Sequence, residues 1–500
     1  MSAGLSAGRA SGCVPISRAM QPRLALVATL ALASCNSHGG GAGSGPASVA
    51  IPGPPAAPGL PATAWIPAHP TYAVAAHSVR ELQQTARHLI GSLGIPAGLD
   101  EATVSGVSSL VLGLDLLAPE SLAGAGVDPE GGVAVFSEEL SPTFVIHLKS
   151  VDQMTSFLRR RGPAPVTATI GGVEIRTLAA RSAQVSWAIS HDWLWLHVAL
   201  GPSEGTAWFE HSRAGGGGVL PDWAHAQVRG RAPVVAFADL HALVAAGLAS
   251  MPGAPAECAR RFEALGHLDA GFDFDERHVA AHVSVEVGPD ALALAAHVLA
   301  PPGGWDATAA QAPLAVAWNA DLGAVAPWLR PCLGDAQPDL FRSGLRSARV
   351  AVFKFEGMTS FSGVGVADLS NPAQVTALLD QIPLRSHLEH DRTYGPYKGH
   401  HISIPTMFAL DYVVTPQLAA AAVGDGVLER ALAGAPAAHA PVATVDVHPQ
   451  AMPAADWTAL VHTVGFSPRV VSVLTSWRAL HLAATVEGSE VVIEASAERN

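Results

Sequence analysis

The side chains best suited to chemistry gather in three places. The densest is His387-Leu388-Glu389-His390-Asp391 followed by His400-His401, in a chain that carries 22 histidines. Neutral imidazoles and carboxylates at this spacing can ligate a divalent metal if the turn Tyr394-Gly395-Pro396-Tyr397 folds two strands together, which makes His387, His390, His400 and His401 candidate ligands. An extended backbone, however, sends His387 and His390 to opposite faces, so a solvated hairpin using histidine as polar filler is the plainer expectation. The second group, Asp269, Asp273 and Asp275, shares one face of a strand. Three carboxylates on one face suit Ca²⁺, and a solvated strand face is the simpler alternative. In the third, Trp193, Trp195 and His197 alternate with Leu194, Leu196 and Val198. That strand is either an aromatic platform for a glycan or lipid, or a strand covered by a helix on its tryptophan side. Gly4-Leu5-Ser6-Ala7-Gly8 matches the nucleophile-elbow pattern, yet that motif needs a strand before the serine and a helix after it, and this copy lies in a leader. The sequence nominates no catalytic residue and calls for no cofactor.

The cysteines carry a different chemistry. Arg9, Arg18 and Arg23 precede the apolar run Leu24 to Ala33, which ends in Leu32-Ala33-Ser34-Cys35. Charge, apolar stretch and small residues thus follow in the order of an export signal, whether the initiator is Met1 or Met20. The tetrad resembles the bacterial lipobox, and that resemblance implies cleavage before Cys35 and acylation of its sulfur. Asn36, not Asp, follows, which favours the outer over the inner membrane. With Cys13 in the leader and Cys35 lipidated, Cys258 and Cys332 are the pair left in an oxidising compartment, as a disulfide or as two buried thiols.

Elements must position these groups, and the sequence supplies them in a repeated order. Pro70, Pro233, Pro313 and Pro441 each open a six-residue apolar run that reaches a polar residue and then turns helical. Proline is tolerated at a first strand position, and His77-Ser78, Asp239, Asn319 and Asp446 stand where short polar side chains cap a helix. Between these marks the same series runs twice: Val133-Phe136 then Thr143-Leu148 then a helix with Gln153, against Val350-Phe353 then Phe361-Val366 then a helix with Gln374. Gly-led strands follow at Gly172 and Gly399, and Arg277 to Glu286 aligns with Arg478 to Glu487 at an offset of 201. The expected fold is α+β, with two tandem related modules at 63–300 and 308–500, each a largely antiparallel sheet with helices packed on one face. Residues 1–34 are expected to be the signal peptide and 35–62 a Gly/Pro-rich tether.

Composition narrows the function. The chain has 500 residues, 49% apolar and 14% charged, with 29 Lys+Arg against 42 Asp+Glu. A net charge of −13, which becomes −16 when the three leader arginines are removed, repels a phosphate backbone and argues against nucleic-acid binding. No segment beyond the leader has the ~18 apolar residues of a membrane span. The run Gly126-Val127-Asp128-Pro129-Glu130-Gly131-Gly132 leading into Val133-Phe136, with the proline-led strands, is similar to Ala-rich lipoproteins of high-GC, myxobacterial type. That resemblance implies a lipid-anchored envelope protein and carries over no catalytic residue. The expected function is non-catalytic binding or scaffolding at the membrane surface; a carrier or sensor of an apolar ligand is the alternative, and a hydrolase the third.

Overall fold

The computed structural model describes residues 59–499, except 91–100, 113, 139–140, 161–164, 180–183, 200–204, 215–231, 250–255, 263, 275–276, 296, 334–343, 357–359, 381–387, 405–407, 436–439 and 464–468. The leader, Cys35 and His387 therefore lie outside the described residues.

Alternating apolar residues give twenty strands among the described residues. In chain order they are β1 Tyr72–Ala76, β2 Val133–Ser137, β3 Thr143–His147, β4 Val166–Ile170, β5 Val173–Ala179, β6 Gln184–Ser190 and β7 Trp193–Ala199. There follow β8 Val234–Asp239, β9 Leu265–Phe274, β10 His278–Val287, β11 Leu314–Trp318, β12 Leu345–Phe355, β13 Phe361–Leu369 and β14 Glu389–Tyr394. The last are β15 Tyr397–Ile404, β16 Phe408–Val414, β17 Leu418–Val423, β18 Ala443–Val447, β19 Trp477–Glu487 and β20 Glu490–Arg499. All pair antiparallel in one sheet ordered β4-β5-β6-β7-β3-β2-β1-β8-β9-β10-β20-β19-β18-β11-β12-β13-β17-β16-β15-β14. The halves meet where β10 pairs with β20 from His278–Glu498 to Glu286–Glu490.

The expectation that helices occupy one face is corrected, because they lie on both. Neighbouring β1 residues belong to different cores: Ala73 and Ala75 to one, Val74 and Ala76 to the other. On the first face the short helix Pro61–Trp65 and the helix Ala207–Ala214 cover Phe136, Val145 and Ile175. On the second, the helices Val79–Leu89 and Val151–Arg159 cover Val133, Leu194 and Trp187. Strands with apolar residues on both sides have no solvated face to spare, so each side needs a roof.

The caps follow the sequence in part. Ser78 accepts from the Glu81 amide at 3.1 Å, Ser150 from Gln153 at 3.3 Å and Asp239 from Ala242 at 2.9 Å. Asn319 does not cap: its Nδ2 donates to the Pro441 carbonyl at 2.8 Å, and Asp321, two residues on, accepts from the Gly323 amide at 2.8 Å instead. Asp446 is likewise taken, by His481 Nδ1 at 2.5 Å on the neighbouring strand.

Asn319 is held because it serves a buried cation. Arg349, with no exposed surface, donates from Nε to Asn319 Oδ1 at 2.7 Å, from Nη1 to Asp368 Oδ2 at 2.8 Å and from Nη2 to the Leu299 carbonyl at 3.0 Å. These contacts fasten the segment entering the second half to β11, β12 and β13. A buried guanidinium is tolerable only with its donors satisfied.

Candidate functional site

The tryptophan strand is the first candidate. β7 lies between β3 and β6 in the sheet, and the helix Ala207–Ala214 packs over its first face. Trp195 is 2% exposed and donates from Nε1 to Ser212 Oγ at 3.0 Å, while Ser212 donates onward to the Trp65 carbonyl at 2.6 Å. His197 is 3% exposed, stacked on Trp208 at 4.8 Å and bonded through Nδ1 to Thr143 Oγ1 at 2.8 Å. Trp193 is half-buried between Trp65 and His147. The strand is covered on its tryptophan side, and neither Trp195 nor His197 offers a face to a ligand. Trp195 and His197 are core, and the Trp195 indole N–H is satisfied within the protein, as a buried indole requires.

The histidine hairpin forms, but its imidazoles diverge. β14 and β15 place His390 opposite His401 and Asp391 opposite His400, so His400 and His401 point to opposite faces. His400 Nδ1 lies 2.9 Å from Glu389 Oε1 and 3.2 Å from Asp391 Oδ1. His401 Nδ1 meets Asp411 Oδ1 at 2.7 Å, on the other side. Asp411, 4% exposed, also accepts from Tyr394 OH at 2.5 Å, and Arg392 Nη1 stands 3.8 Å away. Burial, then the Asp411 carboxylate, pushes the Tyr394 phenol well above its ordinary value. His400 and His401 thus face different carboxylates, and among the described residues no three His, Cys, Asp or Glu side chains are arranged to hold a metal ion.

Of the aspartate trio, two residues fall within the described part of the chain. Asp269 Oδ2 is 3.2 Å from His267 Nε2, Asp273 is exposed, and Asp275 lies outside the described residues. Cys258 is disulfide-bonded. Its helix, Ala256–Phe262, packs against the helix Leu322–Leu333 that carries Cys332.

Sequence reasoning missed the feature that stands out most. On β11 the small residues are buried and the large ones exposed: Ala315 and Ala317 are each 2% exposed, whereas Val316 is 39% and Trp318 37%. Packing normally does the opposite. Register extends this face sideways: Val316 opposes Val350 of β12 and Val445 of β18, and Val445 opposes Leu482 of β19. Val350 is 45% and Leu482 38% exposed, and with Val316 and the half-buried Val445, which also packs against the covered core, they form a row of four aliphatic side chains across four neighbouring strands. Two residues along the same strands, Val352 and Val447 are buried beneath the helices Ala454–Thr463 and Arg469–Leu474, with Leu314 and Leu480 packed beside them. The apolar face thus runs out from under those helices into the open. The opposite face of β11 is sealed by the helices Trp305–Ala309 and Val427–Ala431, which pack on its alanines. A contiguous exposed apolar surface is a candidate interaction site. The signal was present as Leu-Ala-Val-Ala-Trp, with bulk on alternate residues, but nothing in the chain said which alternate set would be roofed.

No protein-family model matches the chain, and no curated protein matches it. Among solved structures, crystal form III of TP0453 is similar over 45% of this chain and 79% of that chain, at 10% identity and a TM-score of 0.28. Crystal form IV of TP0453 is similar over 47% and 85%, at 10% identity and a TM-score of 0.27. Likeness of that extent carries no inference about this chain.

Proposed function

We propose that the protein is a lipid-anchored cell-envelope protein without a catalytic role, built from two copies of one α+β module at 63–300 and 308–500, which binds an apolar partner on its open sheet face. The observation that carries the binding reading is the inversion on β11, where Ala315 and Ala317 are sealed and Val316 and Trp318 are left open in a row with Val350 and Leu482. Anchoring rests on Leu32-Ala33-Ser34-Cys35 behind its basic and apolar leader, with the outer membrane favoured by Asn36.

Duplication is supported by the strand order. Outward from the β10–β20 contact, one arm runs β10-β9-β8-β1-β2-β3-β7-β6-β5-β4 and the other β20-β19-β18-β11-β12-β13-β17-β16-β15-β14, the same sequence with ten added to each strand. On this correspondence one match changes: His278–Glu286 lies on β10, just after Arg277, and Arg478–Glu487 on β19, which would correspond to β9. Valine-alanine alternation looks alike in any two half-buried strands, so the offset of 201 paired the wrong members of two hairpins.

The same open face favours the second reading, a carrier or sensor of an apolar ligand. The anchor is tested by labelling cells with radioactive palmitate and partitioning the protein into Triton X-114. Native protein incorporates label and enters the detergent phase; Cys35→Ala does neither. A Cys35→Ala chain that still takes up label would overturn the anchor assignment.

A further inference from the structure

The outermost strands of the sheet, β4 and β14, end it very differently. β14 reads Glu-His-Asp-Arg-Thr-Tyr, and charges along an edge discourage pairing with another chain. β4 reads Val-Thr-Ala-Thr-Ile, with no charge and no proline. Its residues 166–169 are exposed, Val166 at 75%, and among the described residues only β5 pairs with it.

The hairpin geometry says which groups this edge offers. Ile170 opposes Val173 across the two-residue turn Gly171-Gly172, whose φ angles of 54° and 80° are those of a type I′ turn. Residues flanking such a turn form a hydrogen-bonded pair, and pairs then alternate along the ladder. Ile170, Ala168 and Val166 therefore spend their amides and carbonyls on β5, while Thr167 and Thr169 present theirs outward. We propose that this edge pairs with β4 of a second copy of the chain, antiparallel and centred on Ala168.

Self-complementarity selects that occupant. An antiparallel pairing centred on Ala168 sets Thr167 opposite the second copy's Thr169, and Val166 opposite its Ile170. Both Thr pairs join residues whose backbone groups already point outward, so four main-chain hydrogen bonds form without disturbing β5. Their side chains meet as Thr–Thr and Val–Ile pairs, both favourable across strands. Ala168 faces its own copy as a non-hydrogen-bonded pair, with Cα atoms about 4.5 Å apart. The contact is isologous, so it closes at two chains and joins two sheets into one.

Cysteine trapping tests this in the full chain, purified in detergent and mildly oxidised. Ala168→Cys should give a disulfide-linked dimer on a non-reducing gel, because about 4.5 Å lies within disulfide range. Thr167→Cys, which meets Thr169 and not itself, should give at least fivefold less. Adding Thr167→Pro to Ala168→Cys removes an outward amide that β5 does not use, and should lower the yield by a similar factor with the circular dichroism unchanged. If Ala168→Cys cross-links no more than Thr167→Cys, or if Thr167→Pro leaves its yield untouched, the proposal is overturned.

Discussion

Replacing Val350 and Leu482 together by serine separates a binding face from a merely untidy one. The two side chains stand at the ends of the aliphatic row and retain 45% and 38% of their exposure. Complete burial of an aliphatic side chain contributes about 1.5–3 kcal/mol. An occupant that covers the remaining two-fifths gains about 0.6–1.2 kcal/mol at each position, and about 1.2–2.4 kcal/mol at both. At 1.4 kcal/mol per decade the double variant should bind an apolar probe about 7- to 50-fold more weakly. Folding itself loses the other three-fifths, about 2–3.5 kcal/mol for the pair, so the titration belongs well below the melting temperature. The assay is fluorescence enhancement of cis-parinaric acid on native and variant protein at 20 °C. Val352→Ser is the control: at 4% exposure beneath the helices it should lower the melting temperature and leave probe affinity unchanged. Binding within threefold of native by the folded double variant would refute the assignment of this face.

Three further outcomes follow from buried groups. Arg349→Met leaves Asn319 Oδ1 and the Leu299 carbonyl without their donor and Asp368 with Ser347 but no counter-charge there, and breaking a buried pair from one side should cost about 3–5 kcal/mol in urea unfolding; a loss under about 1 kcal/mol would show that solvent replaces the guanidinium. Burial raises the phenols of Tyr72 and Tyr394, so a spectrophotometric titration at 295 nm should show Tyr72→Phe and Tyr394→Phe each removing a late-ionising phenol, and Asp411→Asn should bring that of Tyr394 down. A neutral phenol favoured by the fold contributes stability that is full below the ordinary tyrosine pKa of about 10 and is lost as pH rises through the folded value. Cys258 is disulfide-bonded and its helix packs on the one bearing Cys332, so Cys332→Ser should expose one additional thiol to alkylation without reductant; no additional thiol would place the partner elsewhere.

Local chemistry was legible and long-range placement was not. Pro70, Pro233, Pro313 and Pro441 mark real strands, β1, β8, β11 and β18, because a proline opening followed by alternating apolar residues is a local signal. That β1 lies beside β8, and β11 beside β18, is set by pairing across more than a hundred residues. The caps divide in the same way. Ser78 and Asp239 serve the amides next to them, whereas Asn319 is drawn off to Pro441 and Arg349, partners that local spacing does not identify.

The side chains that the sequence groups are parted for a related reason. His390, His400 and His401 are near in sequence, yet a strand sends neighbours to opposite faces, and His401 meets its carboxylate ten residues on, at Asp411. Trp195 and His197 look like a platform only until a roof arrives, and that roof, Trp65 and the helix Ala207–Ala214, comes from elsewhere in the chain. In the sequence Val316 is indistinguishable from core. In a sheet whose residues are apolar on both sides, composition cannot separate face from core; the scarce quantity is the covering helix. On β11 the two small helices went to the alanine side, where short side chains allow close approach. The bulkier side was left beyond the edge of the helices Ala454–Thr463 and Arg469–Leu474. Covering the valine side over β11 would require those helices to extend by only about two residues' worth of strand, roughly 7 Å. A gap that small, persisting over four strands and lined by aliphatic side chains, is what makes the open face a binding site in this reading rather than a consequence of low helix content.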